Sequence, residues 1–241
     1  MNFKMKLLSF VLISNLLFSL NFSEDISPII YNNCTTCHRS GEIGAFLPLT
    51  NFTEVFEKRD LIAFVIEGDD DRHGEPSMPP WPPDREYSTF IGERHLAEEE
   101  IHIILDWVDE GAYEGNAELE YQMPDFPEGS AIGDPDLILD MEESIFIEGN
   151  YQDYYRCFIF SLDNNEDISM SAIEFHPGNR EAVHHAIITY IPDGTADNLD
   201  NQDPSYGYEC YGGFGLSTVT DLIGGYAPGL TVIEYPEGIG R

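Results

Sequence analysis

The hydrophobic period of this chain changes once along its length, and that change limits what it can fold into. Before residue 115, apolar residues recur at helical spacing. Phe52, Val55, Phe56, Leu61, Ile62, Val65 and Ile66 form one such run; Leu96, Ile101, Ile104, Leu105 and Val108 form another. Glu98, Glu99 and Glu100 suit the first turn of the second helix, and Gly111 suits its end. Between the runs, prolines at 76, 79, 80, 82 and 83 forbid helix. From residue 136, segments such as "DLILDM", "SIFIEG", "YYRCFIF" and "VHHAIITYIP" alternate or run apolar between turn residues, which is a strand signal. Polar, Pro- and Gly-rich "NAELEYQMPDFPEGSAIGDPD" separates the two textures, with a boundary near residue 125. The expectation is a multidomain chain, a mainly α domain followed by an all-β antiparallel sandwich, the latter partial.

The first 22 residues read as a signal peptide: Lys4 and Lys6, then an apolar stretch from Leu7 to Leu20, with acidic residues just beyond. The stretch is shorter than the ~20 apolar residues of a spanning helix. A retained N-terminal membrane anchor is the alternative. The expected location is outside the cytosol, secreted or periplasmic. There cysteine chemistry is oxidative, and the well-separated Cys157 and Cys210 are expected to form a disulfide. The 11 basic against 45 acidic residues give a net charge of −34, which repels nucleic acid and excludes it as a partner. The same charge suits a basic partner protein or salty surroundings.

Cys34-Thr35-Thr36-Cys37-His38 is the sharpest motif. C-x-x-C-H in an exported chain is the attachment sequence of haem c. Two thiols three residues apart on a helical turn add across two vinyl groups of one porphyrin, and the adjacent imidazole reaches the iron. A redox dithiol would call for a βαβ setting, and a zinc site for a second ligand pair in this half; neither is present in the pattern. Met78, in the proline-rich loop, is the candidate sixth ligand, with His73 and His95 as rivals on the surface and His102 a partly buried structural histidine.

His184 and His185 stand in an apolar, strand-like segment. Neighbouring strand side chains point to opposite faces, so they share a metal only where the strand is bulged or its pairing ends. His176, in "EFHPGN", is a weaker accessory ligand.

Two resemblances rest on these residues. Residues 27–115 resemble bacterial cytochrome c domains through CTTCH, "GEIGAFLPLTNF", "MPPWPPD" from Met78 and "LAEEEIHIILDWVDEGA". This implies haem c on Cys34 and Cys37, with His38 and Met78 axial. Residues 132–241 resemble the N-terminal domain of the copper type II, ascorbate-dependent monooxygenases, the peptidylglycine α-hydroxylating and dopamine β-monooxygenase family. "GDPDLILDM", "YYRCFIF", "VHHAIITY", "YECYGGFG" and "GGYAPGLTVIEYPEGIGR" occur in that order. This implies an electron-transfer copper on His184 and His185 and a disulfide between Cys157 and Cys210. The family's third histidine and its oxygen-activating H-x-H site have no counterpart here, since no histidine follows His185. The chain is therefore expected to be part of a longer protein.

The organisation expected is a signal peptide at 1–22, a cytochrome c domain at 23–116, a linker at 117–131 and an incomplete copper-monooxygenase-like sandwich at 132–241. The activity expected of the full-length form is hydroxylation of a C–H bond with O2, on a small organic or peptide substrate. Electrons would come from a redox partner or an ascorbate-like reductant. The alternatives are a non-enzymatic electron carrier with a docking module and a haem-based sensor.

Overall fold

The computed structural model describes residues 19–240 apart from 69–76, 81–86, 91, 127–128, 151, 163–165, 193, 217–219 and 231. Residues 1–18 of the expected leader, His73, and the Trp81–Asp84 part of "MPPWPPD" lie outside the described residues. The chain divides into two compact units. One takes the residues through Cys34 together with Thr50–Met123; the other takes Thr35–Leu49 together with the chain from Pro124 onward.

The first unit is built around Phe22. A π-helical turn, Phe22–Ile26, leads into α1, Ser27–Asn33; α2 is Phe52–Glu67 and α3 is Glu98–Asp109. Asn21 caps the first turn through Glu24 N–H, and Asn51 caps α2 by accepting from Glu54 N–H. The Glu54 carboxylate reaches back to Thr50 N–H at 2.7 Å, so donors at both ends of that turn are satisfied. Glu100 does the same for Ala97 N–H at 2.8 Å at the start of α3. The faces that these helices bury are Val55, Ile62 and Ile66 on α2, and Ile104 and Trp107 on α3. Phe22 is wholly buried, its ring centroid 5.4 Å from Phe52, 6.0 Å from Tyr31 and 6.3 Å from Trp107. Its N–H donates to Tyr113 O at 2.8 Å, and Trp107 Nε1–H donates to the same carbonyl at 2.9 Å. Buried Tyr31 hydrogen-bonds Glu120, and burial first, then that bond, raises its phenol far above the ordinary tyrosine value.

The expected sandwich does not form. Among the described residues the second unit has six short strands in three separate antiparallel pairs. β1 (Arg156–Cys157) pairs β4 (Tyr208–Glu209); β2 (Ala172–Glu174) pairs β6 (Val232–Glu234); β3 (Ala186–Tyr190) pairs β5 (Asp221–Tyr226). A short helix, α4 (Thr195–Asp200), interrupts them. "DLILDM" and "SIFIEG" form no strand pair among the described residues, and Leu137, Ile138, Leu139, Phe146 and Ile147 are exposed. Alternating apolar residues specify which face a strand would bury; they do not supply the neighbour it must pair with. Nor do the helices described in the first unit, unequal in length and joined by long irregular connections, make the mainly α domain that periodicity suggested and that the resemblance implied to be a cytochrome c domain. No helix among the described residues is long and apolar enough to cross a membrane.

The second unit is held by specific ties more than by a core. A disulfide joins Cys157 to Cys210, with Cα atoms 5.9 Å apart. Beside it Arg156 donates to Asp203 at 2.8 Å, to Tyr206 O at 2.6 Å and to Gly207 O at 2.7 Å. In β5, a side chain at Gly225 would sit 2.8 Å from Ala186 O, so the close β3–β5 approach requires glycine there.

Because Phe22 is the centre of the first unit, Phe22→Ala should cost about 3–5 kcal/mol of unfolding free energy. Urea titration followed by Trp107 fluorescence measures this. An unchanged midpoint in the processed protein, together with a mass that begins at Ser23, would show instead that the leader extends through Phe22.

Candidate functional site

The segment Thr35–Leu49 is a loop closed by its own backbone. Gly44 N–H donates to Cys37 O at 3.0 Å, Ala45 N–H to Glu42 O at 2.9 Å, Leu47 N–H to Gly44 O at 2.9 Å and Leu49 N–H to His38 O at 3.0 Å. His38 lies half-buried at its centre, with Nδ1 2.9 Å from Leu47 O. A carbonyl can only accept, so Nδ1 is the donor, and in the neutral ring Nε2 keeps its lone pair. Metal-ligating histidines are oriented in this manner, one ring nitrogen tied to a carbonyl and the other presented to the metal. Gly44 makes room for the ring: a Cβ there would stand 2.7 Å from Cys37 O and 2.8 Å from His38 Nδ1. Cys37 and Cys34 are half-buried thiols, Cys34 at the C-cap of α1 with its N–H donating to Ile30 O at 2.8 Å. The donor set of two thiols and an imidazole in tandem fits haem c.

Met78 is 37% exposed, and its backbone is tethered to the last turn of α2. Val65 O, in that last turn, accepts from Ser77 N–H at 2.8 Å and Met78 N–H at 3.1 Å. This places Met78 by backbone and leaves its thioether accessible to a metal. His95 differs from its expected surface role: its Nδ1 is buried with no hydrogen bond among the described residues, and Glu93 Oε1 lies 3.7 Å from it. His102, expected partly buried, is exposed on α3.

The His184–His185 pair escapes the alternation rule because it precedes the ladder. β3 begins at Ala186, and upstream a turn closes with Ala182 and Val183 N–H both donating to Asn179 O. The two exposed rings converge, Nδ1 to Nδ1 at 3.0 Å. One ring donates and the other accepts. Two nitrogens bound to one first-row metal at about 2.0–2.1 Å and at right angles would stand about 3 Å apart, so the pair also fits a tetragonal copper. His176 goes elsewhere: its Nε2 is 3.1 Å from Glu174, which also accepts from Ser130 Oγ at 2.7 Å and Ala131 N–H at 3.0 Å. Burial alone would raise the Glu174 carboxyl, but hydrogen bonds from Ala131, Ser130 and His176 together hold it below the ordinary range. Among the described residues no group of three or more His, Cys, Asp or Glu gathers as a metal site.

Three further residues join the loop to the rest of the second unit. Glu42, nearly buried, accepts on one carboxylate oxygen from Arg39 at 2.8 Å and Arg180 at 3.2 Å. Arg39 also donates to Thr35 O and Thr36 O and lies 3.7 Å from the centre of the Phe126 ring. Only the charges of these residues showed in the sequence; Glu42 and Arg180 lie 138 positions apart.

No protein-family model matches the chain, and neither a curated protein nor a solved structure does.

Gly44→Ala should push the His38 ring off Leu47 O and cost about 1–3 kcal/mol of loop stability. Loss of exchange protection at Leu49 N–H and a shifted His38 ring resonance are the expected signs. For Glu174, the depressed folded value means that its stabilising effect is complete above the unfolded value and is lost as pH falls through the folded one. Protection of Ala131 N–H should therefore hold from neutral pH to about 5 and decline below about 4. Protection that persists to pH 2 would contradict this.

Proposed function

We propose that this chain is an exported electron-transfer protein. Cys34, Cys37 and His38 would hold haem c, with Met78 the further ligand that the resemblance implies, and His184 and His185 would hold a copper ion. The observation that carries the reading is the Nδ1–H···O=C bond from His38 to Leu47, which fixes the tautomer a metal ligand needs within a CTTCH sequence.

When bound, haem c and copper supply one-electron chemistry. The chain's own residues do the rest. Cys34 and Cys37 hold the porphyrin, Leu47 O and Gly44 orient the His38 ring, and the tether to Val65 O positions Met78. The converging Nδ1 atoms of His184 and His185 set a ligand pair that needs little rearrangement on binding. The net charge of −34 steers a basic redox partner, or else electrons arrive from an ascorbate-like reductant. A secreted or periplasmic location follows from the leader pattern.

The resemblance to copper type II monooxygenases extends the proposal to O2-dependent C–H hydroxylation as the reaction of a longer form. Its substrate would be a small organic molecule or peptide, and in that form His184 and His185 would hold the electron-transfer copper.

The test is expression with export in a host competent for cytochrome c maturation. Haem should survive denaturing electrophoresis, and Cys34→Ser with Cys37→Ser should abolish it. Elemental analysis should show copper, and His184→Ala or His185→Ala should each weaken its binding at least about tenfold, as loss of one of two ligands requires. An exported protein without haem overturns the reading. Copper binding indifferent to both histidine variants removes the copper half and leaves a cytochrome.

A further inference from the structure

The buried carboxylate of Glu42 reaches both candidate ligand segments within the second unit. On one side it meets Arg39, inside the loop that carries Cys37 and His38. On the other it meets Arg180, which stands in the turn that leads directly to His184. Arg39 and Arg180 use the same oxygen, Oε1, so the two cations are bridged by a single atom. A carboxylate this buried is stable only while its cationic partners stay in place, and removing one leaves charge uncompensated.

A second path runs beside the first. Tyr226, 4% exposed, pairs across the sheet with Ala186, the residue after His185. Burial first, then the neighbouring Glu42 carboxylate, raises its phenol, with Arg180 opposing and Cys37 adding. Tyr226 thus shares in the electrostatics of Glu42 while it is built into the β3–β5 pair. Its ring also packs on Phe175 at 5.3 Å, which keeps it from swinging away.

We propose that Glu42 and Arg180 are positioning residues that lock the His38 loop to the turn bearing His184 and His185, so that occupancy of one ligand segment is felt at the other. The inference rests on reading these segments as haem and copper ligands, but the clamp can be examined without either group. Two loop amides report on it: Gly44 N–H, bonded to Cys37 O, and Leu49 N–H, bonded to His38 O, both at 3.0 Å.

The experiment is amide hydrogen exchange on the full chain without haem or metal, in wild type, Arg180→Met, Arg180→Lys and Glu42→Gln. Exchange at Gly44 and Leu49 should be about tenfold faster in Arg180→Met and Glu42→Gln, and near wild type in Arg180→Lys. Glu42→Gln keeps the side-chain shape and guards against a misfolded methionine variant. Copper(II) alone, added to wild type, should slow exchange at both amides, and that response should vanish in Arg180→Met. In the haem-loaded protein, the shift in haem midpoint potential on copper addition should be about halved in Arg180→Met and restored in Arg180→Lys. Unchanged exchange in both Arg180→Met and Glu42→Gln overturns the clamp. Copper that binds without altering either amide overturns the coupling. Copper that fails to bind overturns the copper reading itself, and the metal-free comparison still decides the clamp.

Discussion

The bond from the His38 imidazole to the Leu47 carbonyl organises the candidate site. It demands that the chain return to His38 nine residues later, and Thr35–Leu49 folds to meet that demand. The backbone bonds at Gly44, Leu47 and Leu49 close the loop, and the missing side chain at Gly44 admits the ring. Leu49 is buried, Thr35 is buried and Glu42 is nearly so, which makes the loop one of the better-packed parts of the second unit. A ligand held this way loses little freedom on coordination, which is what preorganisation of a metal site requires.

The two units reach order by different means. The first buries a cluster of aromatic rings around Phe22, with Trp107 and Tyr31 completed by hydrogen bonds. The second buries few large side chains among its described residues, Tyr208 and Tyr226 chief among them. It depends instead on a disulfide, the Arg156 contacts beside it, and the Arg39–Glu42–Arg180 bridge. In a chain with four acids for each base, such cations are scarce. Those that remain are used where they are most effective, against buried carboxylate and carbonyl groups.

Helices α2 and α3 were legible because their apolar spacing and capping residues are local properties of the chain. The buried face of α3 was misjudged by part of a turn: Trp107 faces the core because Phe22 and Tyr113 receive it, and those partners are remote in sequence. The sandwich was over-read for the same kind of reason. Alternation in 136–149 gives a face but no partner strand. The Cys157–Cys210 bridge followed from compartment and spacing, and the structure contains it. The motif His38 was plain, yet its orienting group, a backbone carbonyl at Leu47, has no side-chain signature at all. The His184–His185 convergence could be posed from the sequence only as a condition, that the pair lie where the ladder stops. The structure meets it, with β3 beginning at Ala186.

The loop holds His38 Nδ1 on the Leu47 carbonyl, which in the neutral ring leaves Nε2 with its lone pair. The most direct measurement is a long-range proton–nitrogen correlation spectrum of the His38 ring in the metal-free, haem-free chain near pH 8. The Nδ1–H tautomer is expected in wild type, with that preference weakened in Gly44→Ala. A wild-type ring found with its proton on Nε2, or averaging freely between the two nitrogens, would contradict it.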